Sequence, residues 1–112
     1  MGTLSKEKGK RFEREVAHLF REYGYDAHRT AQYRGNTGDA GDVEGVPGFH
    51  IEAKNQEKMR LYDWMKQSVS DAAAEGKGNL PVVLHKANRK PVLVTMRFED
   101  WIQMYSAYQL MK

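Results

Sequence analysis

The 112-residue chain contains no cysteine, which excludes disulfides and thiolate metal sites and fits a reducing compartment. No apolar run approaches the roughly 20 residues needed to cross a bilayer. Met1 to Lys6 holds no apolar segment of signal-peptide length, so a cytoplasmic chain without a membrane partner is expected. There is no internal repeat, low-complexity tract or linker, and the length suits one domain, residues 1–112. Charge of one sign is in small excess, net +3 with 29% charged residues. That permits nucleic-acid binding without demanding it.

The placement of the basic residues says more than their number. Lys6, Lys8, Lys10, Arg11 and Arg14 cluster near the start, and Arg29 and Arg34 flank a polar loop. Lys86, Arg89 and Lys90 surround a turn. Taken singly, each also fits an ordinary solvated surface charge.

Phe12, Val16, Leu19, Phe20 and Tyr23 repeat at helical spacing, which predicts an amphipathic helix over 5–23 with Ser5 as N-cap and Gly24 as its stop. Gly9 inside it costs roughly 1 kcal/mol relative to alanine, so the helix either starts in earnest after Gly9 or leaves room there for another backbone or a phosphate. Residues 25–30 read as a short strand and 31–41 as a mobile Gly-rich loop. Asp42 to Val46 and Phe49 to Asn55 read as strands joined at Pro47-Gly48, a hairpin. Residues 60–76 read as a helix ended by Gly76 and Gly78. Leu80 to His85 and Val92 to Met96 read as buried strands around a turn at 88–91, and 98–110 as a last helix. The order α-β-β-β-α-β-β-α implies an α/β fold, a central mixed sheet flanked by helices.

The chemistry lies in Asp42 followed by Glu52-Ala53-Lys54. Side chains alternate along a strand, so Glu52 and Lys54 share a face roughly 7 Å apart while Ala53 turns to the core. The hairpin partner can bring Asp42 beside them. Two carboxylates and an ammonium then converge, which suits metal-assisted phosphodiester hydrolysis: oxygen ligands for Mg²⁺, and a lysine to act on water or on the transition state. The same three residues also fit a salt-bridged ladder on an exposed strand. Glu13, at the border of the helix's apolar stripe, is costly there unless paired or metal-linked; Arg11 or Arg14 on the rim could pair with it. His50 shares the Glu52 face, as a solvated residue or a substrate contact. His18, His28 and His85 show no ligand spacing, Trp64 reads as core, and Met96, Met104 and Met111 read as packing.

These residues resemble the PD-(D/E)XK nucleases, and within them the archaeal and phage-type Holliday junction resolvases. Lys8-Gly9-Lys10-Arg11-Phe12-Glu13-Arg14-Glu15 looks like their N-terminal helix. By that resemblance Glu13 is a catalytic-site glutamate followed by Arg14, Arg29 is the arginine of the next strand, Asp42 and Glu52 bind metal, and Lys54 completes the site. Gln67 matches a glutamine presented by the following helix, with Gln56 also near. The likeness runs over residues 6–96, with Gly41 where the motif has proline and a longer loop at 31–41.

What the resemblance implies is a restriction-endonuclease-like core and a DNA endonuclease using Mg²⁺, with Mn²⁺ as substitute. It would act on branched DNA in recombination, in the host cytoplasm if phage-encoded. Lys8, Arg11, Arg14, Arg29 and Arg34 would contact phosphates. A homodimer is expected, since a four-way junction needs two matched nicks and this chain has one carboxylate set. Trp101, Tyr105 and Tyr108 make one apolar face on the last helix, with Ile102, Met104, Leu110 and Met111 beyond it. Two other readings stand beside this one: a less structure-selective phage nuclease of the same fold, and a non-catalytic DNA-binding module.

Overall fold

The computed structural model describes residues 2–30 and 41–112. Its elements run α1 (Gly2–Glu22), β1 (His28–Arg29), β2 (Val43–Glu44), β3 (Phe49–Asn55), α2 (Leu61–Glu75), β4 (Leu80–Lys86), β5 (Leu93–Met96) and α3 (Phe98–Leu110). This is the predicted order. Of the loop expected at 31–41, only Gly41 falls among the described residues, so Tyr33 and Arg34 lie outside them.

Among the described residues, one mixed sheet carries the five strands in the order β1-β2-β3-β4-β5. β1, β2 and β3 pair antiparallel, β3 and β4 pair parallel, and β5 returns antiparallel on β4. A parallel pair needs a crossover, and α2 supplies it. Alternation along β3 divides the interior. Ile51 and Ala53, with Val43, Val82 and Leu84, meet Phe12, Val16 and Ala17 of α1 in the buried core. Full burial of each large apolar side chain there contributes roughly 2 kcal/mol. The opposite parity, His50, Glu52, Val83 and His85, lies on the other face of the sheet, where the buried Trp64, Ser68 and Ala72 of α2 cover it. The Trp64 and His85 rings lie 6.1 Å apart, and Ser68 Oγ donates to the Val82 carbonyl.

Gly45 holds φ +97°, and a Cβ there would collide with the Asp26 carbonyl oxygen. That close approach seats the β1 segment beside β2. Gly41 has the same character: a Cβ would stand 2.9 Å from the Ile51 carbonyl oxygen, so the chain can press against β3 just before Asp42.

Four expectations need correction. Helix α1 begins at Gly2 and runs through Gly9, so Ser5 lies inside it. Tyr23 falls past its end and is 82% exposed, while Ala17 joins the buried stripe instead. β5 is not a buried strand: among the described residues it pairs only with β4, and Leu93 and Val94 are exposed. Helix α3 buries only Asp100 of its residues. Met104 and Met111 are therefore exposed, whereas Met96 does pack against the core.

Candidate active site

The β2–β3 hairpin builds the site through backbone geometry. Asp42 N–H donates to the Ile51 carbonyl at 2.7 Å, and Thr30 N–H donates to the Asp42 carbonyl at 3.0 Å. Asp42 is thereby clamped between the β1 segment and β3. Its Oδ2 then accepts the Ala53 amide hydrogen at 2.8 Å, which sets the carboxylate between Glu52 and Lys54 in sequence.

Glu13, Asp42, Glu52, Lys54 and Gln67 line one cleft of about 620 Å³. Lys8, Gly9 and Gln56 line it too, so both candidate glutamines face the same space. Nothing stands within 4 Å of where a Gly9 Cβ would be, which leaves the cleft open at that point. Lys8 also lines an adjoining groove with Arg11 and Lys86. Arg14 is exposed on α1, and Arg34 lies outside the described residues.

Glu13 is paired, but with neither Arg11 nor Arg14. Arg29 Nε donates to Glu13 Oε1 at 2.7 Å. Burial, and then repulsion from Asp42, raises the Glu13 pKa against the opposing pull of Arg29 and Lys54. Glu52 is only 3% exposed. Burial pushes its carboxyl up to about 7; Asp42 adds to the rise, and the His50 hydrogen bond opposes it.

His50 is the residue that sequence reasoning misjudged. Its side chain is fully buried, with Nε2 3.1 Å from Glu52 Oε1 and Nδ1 3.1 Å from Glu75 Oε1. Burial alone would lower its pKa, but the two carboxylates outweigh it and the net direction is up. Strand parity put His50 on the Glu52 face; what closes over that face is α2, which no local signal reveals. Asp71 of α2 also approaches, so that single ligand atoms of His50, Glu52 and Asp71 all lie within 4.8 Å of one another. Both ring nitrogens of His50 are already engaged, by Glu52 on one side and Glu75 on the other.

The donor set in the cleft is carboxylate oxygen, suited to a hard divalent cation. Crowding of Asp42 against a desolvated Glu52 is the strain that such an ion would relieve. The residues present fit a metal at Asp42 and Glu52.

A model of the phage putative PDDEXK endonuclease family matches residues 4–111. The chain belongs to this family. A 1.6 Å resolution structure of Archaeoglobus fulgidus Hjc, a Holliday junction resolvase from an archaeal hyperthermophile, resembles this phage-type endonuclease at 25% identity and a TM-score of 0.58, covering 80% of this chain and 72% of that one. No curated protein sequence matches significantly. Family and likeness together agree with the PD-(D/E)XK core and nuclease activity expected from the motif. Among the described residues of the endonuclease, no helix is long and apolar enough to cross a membrane.

Proposed function

We propose that the chain, as one nuclease domain, is a Mg²⁺-dependent DNA endonuclease that cuts branched DNA such as four-way junctions, with Mn²⁺ able to substitute. The observation that carries this reading is the meeting of Asp42, Glu52 and Lys54 in a cleft whose rim bears Lys8. Asp42 and Glu52 would hold the metal, which when bound supplies a more acidic water and charge neutralisation at the phosphate. Lys54 orients the attacking water or stabilises the pentavalent transition state. Glu13 supports the site while Arg29 holds it in place. Gln67, on α2, faces the same space. Lys8, Arg11, Arg14 and Arg34 contact phosphates, which fix position without reading sequence; the guanidinium of Arg29 contributes beside its pairing with Glu13. A binding module would gain nothing from acids facing a polyanion, so the non-catalytic reading is set aside. The place of action is the cytoplasm of the host cell.

The reading includes a homodimer. Isolated helices of about 13 residues are marginal in water, and α3 buries only Asp100. Its rings form a ladder, with Trp101 and Tyr105 stacked at 5.3 Å and Phe98 and Tyr108 continuing it at either end. Beside it, α2 and β5 leave an apolar groove of about 690 Å³ lined by Leu61, Met65, Val69, Met96 and Phe98. An exposed apolar edge strand and an uncovered aromatic helix support closure on a second copy.

The deciding experiment incubates the protein with labelled four-way junction, linear duplex and single strand, with and without Mg²⁺. Cleavage of the junction alone, and only with metal, is expected. Equal cutting of duplex and junction favours a less structure-selective nuclease, and absence of all cutting overturns the enzyme reading.

A further inference from the structure

We propose that His50 is a positioning residue for catalysis: it grips one oxygen of Glu52 so that the other is presented to the metal side of the cleft. The inference rests on the reading of Glu52 as a metal ligand and adds a residue to it.

The geometry is specific. Glu52 lies on β3 between the cleft and α2, and its Oε1 is held by His50 Nε2 at 3.1 Å. The same carboxyl lines the cleft and interacts with Asp42. The carboxyl is thus held through one oxygen by His50 while Glu52 lines the cleft beside Asp42. The imidazole is itself anchored, since Nδ1 meets Glu75 Oε1 at 3.1 Å near the end of α2. Glu75 is half-buried, and its other oxygen lies 3.9 Å from Lys77 Nζ. Both ring nitrogens thus meet carboxyl oxygens, Glu52 on one side and Glu75 on the other.

Simple packing does not call for this arrangement. A residue two positions before Glu52 on the same strand face could fill the space as valine or leucine, with no buried polar atoms to satisfy. A histidine without exposed surface, placed between two acids, costs desolvation and has to recover it in hydrogen bonds. What it adds is orientation. A glutamate side chain has three rotatable bonds, and fixing one oxygen removes the freedom that metal binding would otherwise have to remove.

The test uses the full chain without DNA and follows Mn²⁺ binding by the electron-spin-resonance signal of the free ion. His50→Asn keeps an amide near the Nδ1 position and loses contact with Glu52. His50→Gln reaches the Nε2 position and restores it. His50→Asn is expected to weaken Mn²⁺ binding by about tenfold or more, and His50→Gln to recover to within about threefold of the parent, in the range found for residues that orient metal ligands. In junction cleavage, His50→Asn should lower kcat at fixed metal and leave the KM for DNA unchanged. Glu75→Ala, at the half-buried end of the relay, releases the ring without touching Glu52 and should weaken Mn²⁺ binding in the same direction; it decides the matter if His50→Asn does not fold. Unchanged Mn²⁺ affinity in the folded members of this pair overturns the inference. Loss of thermal stability that is equal in the Asn and Gln variants, with equal Mn²⁺ binding, overturns it as well and leaves a packing role. Glu52→Gln separates the two levels. If that variant binds Mn²⁺ like the parent, Glu52 is not a ligand and both ideas are lost. If it fails to bind while His50→Asn and Glu75→Ala bind normally, only the role of His50 is lost.

Discussion

The Asp42 carboxylate accepts the backbone amide hydrogen of Ala53 at 2.8 Å. The residues on either side of that amide are Glu52 and Lys54. One hydrogen bond therefore ties the aspartate to the strand position that aims the other two groups. The register behind it is Val43 opposite Ile51, and a slip of one residue would turn Glu52 and Lys54 into the α1 core.

Asp42→Asn keeps an oxygen that can accept from Ala53, and Glu52→Gln keeps the shape of the side chain. Both should fold, and both should lose cleavage by about 100-fold or more because the metal-binding charge is gone. Lys54→Ala should lose about 100-fold or more through the proton-transfer or transition-state role. Single-turnover cleavage of a labelled junction in Mg²⁺ measures all three, and a variant within a few-fold of the parent removes its residue from the site.

Stability of the metal-free protein should fall as pH rises through neutrality. In the folded chain Glu52 is pushed up to about 7 from an ordinary 4.5, and Glu13 also moves up. The folded state then holds protons that the unfolded chain has released, so the stabilising contribution is complete below about pH 4.5 and is lost as pH climbs through about 7. His50 is raised above 6.5 and acts with the same sign, stabilising below its unfolded value and less as pH passes its folded one. Mg²⁺ prefers the ionised carboxylates, so its stabilisation should grow with pH. Thermal melts from about pH 5 to about pH 8, in chelator and in Mg²⁺, read both slopes. A metal-free melting temperature that rises across that window contradicts the assignment.

DNA affinity should fall steeply with salt. Lys8→Ala, Arg11→Ala and Arg14→Ala should each weaken binding about equally for all sequences and lower the salt slope by about one. Arg29→Ala should differ in kind. It releases Glu13, now 2.7 Å from the guanidinium, and so costs cleavage as well as binding. Fluorescence anisotropy over a salt series, beside cleavage rates, separates these cases; an Arg29→Ala variant that binds weakly but cuts normally once saturated would place Arg29 on phosphate alone.

Light scattering after size exclusion, at low micromolar protein, should give about twice the 12.9 kDa of one chain. Trp101→Glu, in the middle of the ring ladder, should yield monomers that still nick but no longer resolve a junction by paired cuts. A monomeric parent would remove the dimer and most of the case for junction resolution.

Gly45→Ala should destabilise the fold by about 2 kcal/mol or more, through strain at positive φ and collision with the Asp26 backbone. Chemical denaturation measures it, and a near-neutral variant would mean that the β1 segment can move away without loss.

Local physics determined much of this protein directly from its residues. Helical spacing placed Phe12 and Val16 in the core, turn residues separated the strands, and alternation set Glu52 and Lys54 on one face with Ala53 on the other. Each of these depends only on neighbours along the chain. What tertiary structure alone decided depends on which element packs where. Glu13 found Arg29 and not Arg11 or Arg14 because β1 passes the end of its helical turn. His50 became buried because α2 closes over its strand and sets Glu75 against its ring. Val92 to Met96 and α3 carry the apolar residues of buried elements, yet the parallel β3–β4 pair leaves β5 at the sheet edge and α3 beyond it. Hydrophobicity specifies that such a surface must be covered; it does not specify whether its own chain or another one does the covering.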